Sequence, residues 1–307
     1  MVDDPEFIMD HWETSWSGFQ RSIDSIIRSD TMDIARFVDV LHQFSTAQDP
    51  IFDDVNDRNC AERNLARDRK GRPYQTLMVI DGQYVSVPRK FRSEIFLADA
   101  LITEITQDTQ VIVELGSGSG RNLFYLYCAL PRWPLKYVAC ELTAAGRQVT
   151  DTIAALDPKM DFMSQAFDYR HPDLSFLPTG QNVVFFTSHS IEQIHRLDRK
   201  VFDEMIESTG KCVGVHLEPV GWQRDPELKT FVESKSRPDG DMVLDFDNQK
   251  LLRNCARWAL EKGYNTNLLE ILGELATSGR IKIHTTAYDA FGTNPFNPGT
   301  LIVWEKL

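Results

Sequence analysis

The sequence predicts an α/β protein with a doubly wound, mostly parallel sheet of seven strands and an antiparallel last strand, preceded by a mainly helical N-terminal cap. Two observations predict this fold. From about residue 110 onward, five short β-prone runs alternate with segments of helical length and pattern, which is typical of a parallel sheet covered on both faces. Two further β-prone runs close the chain, and the loop between them, FGTNPFNPG, has two prolines and two glycines that exclude a helix. Two strands joined by so short a loop can pair antiparallel.

The first 106 residues are predicted to be helical with one hairpin. Apolar residues recur at helical spacing within residues 19–27, 34–41 and 91–105. In the third of these stretches the predicted apolar face consists of Phe91, Ile95, Ala98, Ile102 and Ile105. The run TLMVIDGQYVSV places an Asp81-Gly82 turn between two β-prone segments, which is a strong signal for a β-hairpin. We therefore expect two regions, a helical cap with one hairpin at 1–106 and the sheet domain at 107–307.

The seven strands of the sheet domain are predicted from their β-prone composition and from the turn signals around them. They are expected at residues 110–115, 135–142, 161–167, 182–188, 211–219, 280–290 and 299–307. Helices are expected between them, for example where Val149, Ile153 and Leu156 recur at helical spacing.

Composition and charge exclude several classes of protein. Hydrophobic content of 42% and charged content of 25% are typical of a globular protein, and the sequence has no apolar run of the roughly 20 residues that a membrane span needs. Acidic residues exceed basic ones by 45 − 33 = 12, so the chain repels the phosphate backbone of nucleic acids. The densest basic run, residues 63–74, is interrupted by Asp68 and is read as a solvated loop. We therefore expect neither a nucleic acid nor a membrane as partner.

The N-terminus and the cysteines favour a cytoplasmic location. The first ten residues, MVDDPEFIMD, are acidic where a secretory signal is basic and then apolar. The five cysteines are far apart, odd in number and form no C-x-x-C pair, which argues against a disulfide framework or a zinc site. The histidines outside the sites discussed below have no acid or cysteine at ligand spacing, so no metal site is expected.

The stretch VIVELGSGSGRN, residues 111–122, combines a buried strand with a glycine turn. A dinucleotide fingerprint requires G-x-G-x-x-G, whereas the glycines here are Gly116, Gly118 and Gly120, and Arg121 takes the place of the third glycine. A P-loop requires G-K-[ST] after four intervening residues, and no such lysine follows. In a doubly wound sheet, ligands bind at the carboxyl ends of the strands, so the turn remains a candidate ligand site.

The motif VELGSGSG resembles the first motif of the class I S-adenosylmethionine-dependent methyltransferases, which have a Rossmann-like sheet. In that family a hydrophobic strand with an acid precedes G-x-G-x-G, and the turn holds the amino-acid end of the cofactor and the adjoining ribose. The resemblance covers residues 107–307 and implies S-adenosylmethionine as cofactor and S-adenosylhomocysteine as product. The cofactor-binding roles that it implies in this turn fall on Glu114, Gly116, Ser117, Gly118 and Gly120.

Three later elements add to the resemblance, in the expected order along the chain. Glu141 ends the second strand, where the family has an acid that accepts hydrogen bonds from the ribose hydroxyls. Asp168 follows the third strand, where the family has a polar residue that faces the adenine amine, and the adjacent Phe167 or Tyr169 is expected against the purine ring. The segment FFTSHSIEQI resembles the S-x-x-x-E pattern near the transfer centre, and its Ser188 is counted with the cofactor-binding residues. Read singly, both acids could instead be helix caps or loop residues.

His189 and Glu192 are the candidate catalytic residues. His189 follows the fourth strand, and its ordinary pKa of about 6.5 suits a general base toward a hydroxyl or a protonated amine. Glu192 could orient the histidine or attract a cationic acceptor. An alternative is that His189 only caps a helix or packs on the cofactor. His216 and Glu218, at the end of the fifth strand, are second candidates for base or acceptor-binding groups.

Three further features are candidates for the surroundings of the site. Arg89 or Arg92 could bind the carboxylate of the cofactor, although a solvated basic face is favoured for each. The aromatic side chains of Trp12, Trp16 and Phe19 could form a lid, although their spacing is also that of a core-facing stripe, which we favour. The NPFNP loop between the last two strands could border the substrate pocket or be a stiff connection.

The expected function is methyl transfer from S-adenosylmethionine to a nitrogen or oxygen of a small polar metabolite, an amino acid or peptide, or a sugar. A homodimer through the N-terminal region is a further expectation. Two other classes of function stay open. One is a non-catalytic scaffold or cofactor sensor with the same fold, and the other is a nicotinamide-dependent oxidoreductase, which the glycine spacing disfavours.

Overall fold

The computed structural model describes residues 5–27, 32–44, 66–88, 94–130, 133–234 and 248–307. The strands are β1 (Gln75–Ile80), β2 (Gln83–Pro88), β3 (Val111–Leu115), β4 (Lys136–Glu141), β5 (Phe162–Ala166), β6 (Val183–Ser188), β7 (Cys212–Glu218), β8 (Ile281–Gly292) and β9 (Gly299–Lys306). The described helices are α1 (Pro5–Ile27), α2 (Ile34–Phe44), α3 (Glu94–Glu104), α4 (Arg121–Ala129), α5 (Ala144–Ala154), α6 (Lys200–Glu207), α7 (Pro226–Glu233), α8 (Leu251–Lys262) and α9 (Leu268–Thr277). All seven strands predicted for the sheet domain are present.

The strands form one sheet in the order β2-β1-β8-β9-β7-β6-β3-β4-β5. Strands β3 to β7 pair with each other in parallel, and β9 lies antiparallel between β7 and β8. The doubly wound sheet with an antiparallel last strand is therefore confirmed. The sheet is larger than predicted, because the N-terminal hairpin adds two strands to it by pairing β1 with the end of β8. Pairing along that edge satisfies main-chain groups of β8 that would otherwise have no strand beside them.

The hairpin turn is the one that the sequence predicts. Asp81 and Gly82 have φ angles of +48° and +70°, which is the backbone of a two-residue turn with both central residues left-handed. Their N–H groups donate to the carbonyls of Ala290 and Asp289 at 2.9 Å, so the turn itself is fastened to β8.

Alternate residues of the central strands point to opposite faces of the sheet, and each face has its own core. Val111, Val113 and Leu115 of β3 pack with helices α6 and α9, whereas Ile112 packs on the other face with helices α1 to α5. Because side chains alternate along a strand, Glu114 lies on the face of Ile112. This acid is therefore directed to the side of the sheet that the N-terminal helices cover.

The predicted apolar face of α3 is correct at Ala98 and Ile105 and wrong at Ile95 and Ile102. The buried residues of this segment are Leu97, Ala98, Leu101 and Ile105, while Ile95 and Ile102 are 42% and 37% exposed, and Phe91 lies outside the described residues. Both stripes have helical spacing, since this helix is apolar around most of its circumference. The contacts of α3 with β6 and β7, and not the spacing, decide which stripe is buried.

A third, smaller core joins the hairpin to the segment that follows β7. Leu77 and Val79 of β1 pack with Trp222, Trp258 of α8 and Phe296 of the loop between β8 and β9. Phe296 is fully buried and stacks on Trp258 with ring centroids 5.7 Å apart. The loop that follows β8 is thereby anchored to this third core through Phe296.

No helix within the described ranges has the length and apolar composition needed to cross a membrane.

Candidate active site

A cavity of about 740 Å³ opens at the carboxyl ends of β3, β4 and β6, where the fold is expected to bind a ligand. Ten of the twelve predicted site residues line it: Glu114, Gly116, Ser117, Gly118, Glu141, Phe167, Asp168, Tyr169, Ser188 and His189. Gly120 lies at the start of α4 and Glu192 lies behind His189, so neither lines the cavity directly. Residues that are far apart in the sequence thus meet at one opening.

The glycine turn is compact because its glycines have no side chain. Gly116 and Gly118 have φ angles of +72° and +54°, a region that other residues rarely adopt. A Cβ atom on Gly116 would lie 2.5 Å from Cβ of Ser190, and one on Gly118 would lie 2.7 Å from Cζ2 of Trp16. The turn therefore permits close approach of both the β6 end and helix α1, and its backbone is exposed to the cavity between them.

Glu141 is buried and holds the glycine turn in place. Its Oε2 accepts from the N–H of Gly118 at 3.0 Å, and its Oε1 accepts from the N–H and the hydroxyl of Thr143 at 2.9 and 2.7 Å. A carboxylate has about four acceptor positions, so these three bonds leave one for a ligand hydroxyl. The hydroxyl of Thr143 in turn accepts from the N–H of Gly146 at the start of α5. This bond fixes the position of Thr143 and therefore that of the Glu141 carboxylate bound to it.

Glu114 has a buried oxygen that no protein group satisfies. Its Oε1 accepts from Nδ2 of Asn122 at 2.7 Å, while Oε2 has no hydrogen-bond partner although the residue is 1% exposed. Burial raises the pKa of this carboxyl group to about 8, even though Asn122 and the charge of Arg121 act to lower it. The hydroxyl of Ser117, at the same turn, is also buried without a partner. Both residues line the cavity, so a polar ligand bound there can satisfy these atoms.

The far end of the cavity is formed by the segment after β5. Oδ1 of Asp168 accepts from the backbone N–H and from Nε of Arg170, both at 2.9 Å. Burial raises the pKa of Asp168, but these bonds and the charge of Arg170 lower it by more, so the acid stays ionised. Phe167 and Tyr169 meet edge to face, and the hydroxyl of Tyr169 contacts the carbonyl of Leu115 at 2.8 Å. Tyr169 is therefore fixed by its own hydrogen bond and presents its ring to the cavity as a rigid wall.

His189 and Glu192 form a hydrogen-bonded pair beside the glycine turn. Nδ1 of His189 lies 3.0 Å from Oε2 of Glu192, and the backbone of His189 is left-handed, with φ of +53°. Glu192 is buried and also accepts from the side chains of Asn297 and Gln193, each at 3.0 Å. Because Nδ1 faces the carboxylate, it is assigned the proton, and Nε2 is then the free acceptor of the neutral ring.

The protonated form of His189 is favoured by the carboxylates around it. Burial lowers the pKa of His189, but the charges of Glu192 and Glu218 and the hydrogen bond that His189 donates to Glu192 raise it by more, so its pKa is raised overall. The charge of Arg121 opposes this increase. The carboxylates therefore stabilise the charged ring that forms when His189 accepts a proton.

His216 and Glu218 do not line the cavity, contrary to the sequence-based expectation. His216 is fully buried between the hydroxyl of Thr187 and the indole N–H of Trp304, and burial lowers its pKa to about 3. Glu218 is fully buried and accepts from the backbone N–H groups of Ser190, Ile191 and Glu192 at 3.1 to 3.2 Å. It supports the turn that carries Glu192.

The aromatic residues of helix α1 border the cavity, and Phe19 also packs against the core, as the favoured interpretation of a core-facing stripe expected. Trp12, Trp16 and Phe19 all line the cavity, and the two indoles stack with centroids 5.9 Å apart. The helix is fastened to α5, where Glu13 accepts from the N–H of Ala145 at 3.2 Å. Spacing could not separate the two interpretations, because a lid and a core helix have the same apolar stripe.

Two further parts of the chain contribute to the cavity wall, and the sequence analysis predicted one of them. Thr293, Asn294 and Asn297 line the cavity, so the NPFNP loop does border it. Arg121, the first residue of α4, also lines the cavity, although the sequence analysis predicts no role for it in the site. Its position directly after the glycine turn was the signal. Arg89 and Arg92, the predicted partners of a carboxylate, lie outside the described residues.

Within the described ranges, no group of three or more histidine, cysteine or acidic side chains is placed to hold a metal ion.

No protein-family model and no curated protein matches the sequence. Among solved structures, the geranyl diphosphate C-methyltransferase from Streptomyces coelicolor, in complex with Mg²⁺, geranyl diphosphate and S-adenosyl-L-homocysteine, has 13% identity and a TM-score of 0.45 over 69% of this chain and 78% of that one. A plantazolicin methyltransferase in complex with SAH has 12% identity and a TM-score of 0.41 over 69% and 81%. A SAM-dependent methyltransferase from Aquifex aeolicus has 11% identity and a TM-score of 0.42 over 70% and 92%. All three are remote likenesses.

Proposed function

We propose that the chain is an S-adenosylmethionine-dependent methyltransferase that acts on a nitrogen or oxygen of a small polar metabolite, an amino acid or peptide, or a sugar. One observation carries the proposal: the glycine turn, Glu141 and Asp168 line a single cavity that also contains the His189–Glu192 pair. In this proposal residues 107–307 form the catalytic domain and residues 1–106 its cap. S-adenosylhomocysteine is the expected product.

The residues present fit the cofactor. The open backbone at Gly116 and Gly118 and the unsatisfied Oε2 of Glu114 suit the amino-acid end, which is polar and charged. Glu141 keeps one acceptor position for a ribose hydroxyl after its three protein bonds. Ser117 and Gly120 belong to the same turn. Ser188, the last residue of β6, lines the same cavity.

The adenine end fits in the same way. Asp168 is ionised and can accept from the exocyclic amine, since its two bonds from Arg170 both end on Oδ1. Phe167 and Tyr169, the neighbours of Asp168 in the sequence, supply apolar wall to the same part of the cavity.

The protein contributes positioning and proton transfer, while the bound cofactor would supply an electrophilic methyl group. Nε2 of His189 is the free acceptor for the proton of a hydroxyl or amine. Glu192 fixes the tautomer of the ring and stabilises its protonated form. The aromatic residues of α1 exclude water from the cavity that they cover.

The surroundings of Glu192 favour a hydroxyl acceptor over a cationic amine. Its oxygens already accept from His189, Asn297 and Gln193, and the residue is 5% exposed. A carboxylate engaged in this way orients the histidine and does not reach a cation in the cavity. Among the acceptors proposed, oxygen nucleophiles that need deprotonation are therefore preferred.

The two other functions make different demands on the site. A scaffold or sensor has no need of a histidine held in a strained backbone by a buried acid. A nicotinamide-dependent oxidoreductase has a different glycine spacing from the one present here. Dimerisation through the N-terminal region and a cytoplasmic location remain predictions.

The base assignment is tested by His189→Ala. This variant is expected to bind S-adenosylhomocysteine as the wild type does and to lose about 10²- to 10⁴-fold in turnover, because the cofactor contacts stay and the proton acceptor is lost. Turnover is measured as S-adenosylhomocysteine released from S-adenosylmethionine with a panel of hydroxyl and amine acceptors.

His284→Ala is the matched control, since His284 lies on β8 in contact with Glu305 and does not line the cavity. It is expected to change neither binding nor turnover. Normal turnover of His189→Ala would refute the base assignment. Absence of turnover by the wild type with every acceptor, despite binding, would instead favour the scaffold or sensor.

A further inference from the structure

Apart from His189, the charged residues that line the described cavity all lie in the part proposed for the cofactor. They belong to the ends of β3 to β5 and to the glycine turn with the helix start that follows it: Glu114, Arg121, Glu141 and Asp168. The wall that the segment after His189 and the loop between β8 and β9 contribute is uncharged, and its described residues are Ser190, Gln193, Ile194, Thr293, Asn294 and Asn297. A charged acceptor bound against this wall would lose hydration without gaining a partner of opposite charge. The wall therefore favours a neutral acceptor.

Two carboxamides in this uncharged wall are oriented by Glu192. Nδ2 of Asn297 donates to Oε2 of Glu192 at 3.0 Å, and Nε2 of Gln193 donates to Oε1 at 3.0 Å. Because a carboxylate only accepts hydrogen bonds, each amide turns its NH₂ group to Glu192 and its carbonyl oxygen away from it. Among the described residues, no group donates to either carbonyl oxygen. Each amide therefore offers one acceptor to a ligand in the cavity.

The loop between β8 and β9 fixes the position of Asn297. The N–H of Asn297 donates to the carbonyl of Asn294 at 3.1 Å, and Oδ1 of Asn294 accepts from the N–H of Phe296 at 2.8 Å. Phe296 is itself buried and stacks on Trp258. Asn297 is buried too, and its Nδ2 lies 3.4 Å from Nδ1 of His189. Its amide is thus held beside the proposed base before any ligand binds, so binding does not have to order it.

A further part of the cavity wall is aromatic. Trp12 and Trp16 are half-buried and stack on each other, and the ring of Phe19 meets Trp16 edge to face. The face of an indole binds apolar surface, and the C–H groups on one side of a sugar ring form such a surface. A saturated ring can therefore pack on an indole while the hydroxyls at its edge bind amides.

A sugar matches both the amides and the aromatic wall. We propose that the methyl acceptor is an uncharged sugar unit, whose reacting hydroxyl lies at Nε2 of His189 while neighbouring hydroxyls donate to Oδ1 of Asn297 and Oε1 of Gln193. This inference rests on the proposed function and selects one of its substrate classes. A free amino acid has two charges that the uncharged wall does not pair. An alcohol with a single hydroxyl leaves both amide oxygens without a donor, which costs binding energy.

Methylation of such an acceptor needs no further reactant. The hydroxyl oxygen forms the new bond to the methyl carbon, and the bond between that carbon and sulfur breaks with its electron pair left on sulfur. The hydroxyl proton passes to Nε2 of His189, and Glu192 stabilises the charged ring. The products are a methyl ether, S-adenosylhomocysteine and one proton.

Acceptors with matched skeletons test this assignment. The neutral set consists of the methyl glycosides of glucose, galactose and mannose, and the charged set of the corresponding 2-amino sugars and uronic acids. Cyclohexylmethanol has a hydroxyl and a saturated ring but no neighbouring hydroxyl. Turnover of the full chain is measured as S-adenosylhomocysteine released from S-adenosylmethionine over a range of acceptor concentrations, which gives kcat and KM separately.

At least one neutral glycoside is expected to be methylated, with kcat/KM about 10-fold or more above that of its charged counterparts and of cyclohexylmethanol. Gln193→Met and Asn297→Leu are each expected to raise KM for that glycoside about 10-fold, since each removes an amide oxygen. Asn297→Leu is also expected to lower kcat, because Asn297 contacts the His189–Glu192 pair. Neither variant is expected to change KM for cyclohexylmethanol, whereas a general disturbance of the site would change both values.

Gln148→Met is the matched control, because Gln148 is exposed on α5 and does not line the cavity. It is expected to leave kcat and KM as in the wild type. Thermal unfolding shows that each variant is folded.

Three results would overturn the sugar assignment alone. The first is a wild type that binds S-adenosylhomocysteine and methylates no neutral glycoside. The second is an unchanged KM for the glycoside in both Gln193→Met and Asn297→Leu, and the third is an equal rise in KM for the glycoside and for cyclohexylmethanol. If the wild type does not bind S-adenosylhomocysteine in a calorimetric titration, the proposed function itself is overturned, and the assignment with it.

Discussion

Replacing Glu141 by alanine is expected to weaken S-adenosylhomocysteine binding by about 1 to 3 kcal/mol, which is the value of a charge-assisted hydrogen bond. The acid acts twice, because it offers an acceptor position to the ribose and holds the N–H of Gly118 in the turn. Its removal therefore also loosens the backbone that the amino-acid end requires. Calorimetric titration of the purified variant measures the loss.

Asp151→Ala is the matched control for this prediction. Asp151 lies on α5 close to Glu141 in sequence, but it is exposed and does not line the cavity. It is expected to bind like the wild type. If both variants bind as the wild type does, Glu141 only caps the turn at Thr143 and has no role toward a ligand.

Glu114→Gln is expected to make the ligand-free protein relatively more stable at pH 8 than at pH 5. The pKa of Glu114 is about 8 in the folded chain, whereas a glutamate in the unfolded chain has an ordinary pKa of about 4.5. Between these values the folded state keeps a proton that the unfolded state releases, so the free energy of unfolding falls as the pH rises. Glutamine cannot ionise, and it keeps an oxygen for the bond from Asn122.

The expected size of this effect is about 2 to 4 kcal/mol of change in the stability difference between variant and wild type from pH 5 to pH 8. Urea unfolding at the two pH values measures it. Glu218 also has a raised pKa, of about 7, but it is present in both proteins and cancels in the comparison. Glu227→Gln, at an exposed position on α7, is the control and should show no such change. A stability difference that does not depend on pH would show that Glu114 ionises normally when folded.

Because Oε2 of Glu114 is proposed to face the cofactor, the same variant is also expected to bind S-adenosylhomocysteine more weakly. The two results together would identify Glu114 as a group that costs stability and serves a ligand. Functional sites commonly keep strained or unsatisfied groups that lower the stability of the folded chain, because these groups are needed for ligand binding. An acid kept for packing alone would not show both effects.

The elements that the sequence predicted correctly are those with local signals. The strands of the sheet domain have β-prone runs between turn residues, and the Asp81-Gly82 turn has the two residue types that accept positive φ. The cavity-lining acids Glu141 and Asp168 follow strands, so parallel topology alone brings them to one edge.

The predictions that were wrong depended on contacts between distant parts of the chain. Contacts with β6 and β7 determine which residues of α3 are buried. The contact of Trp16 with Gly118 determines that this side chain lies at the cavity. His216 lies near the end of a strand, as a catalytic residue would, but the indole N–H of Trp304 of β9 donates to its Nε2 and the indole covers the ring. Periodicity is the same in each alternative, so no inspection of spacing separates them.

The purpose of the glycine turn can be tested directly by calorimetric titration of the full chain with S-adenosylhomocysteine and, separately, with NAD. The cavity described here predicts micromolar binding of S-adenosylhomocysteine and no binding of NAD. Binding of NAD without S-adenosylhomocysteine, or binding of neither, would contradict the assignment of this site to a methyltransferase cofactor.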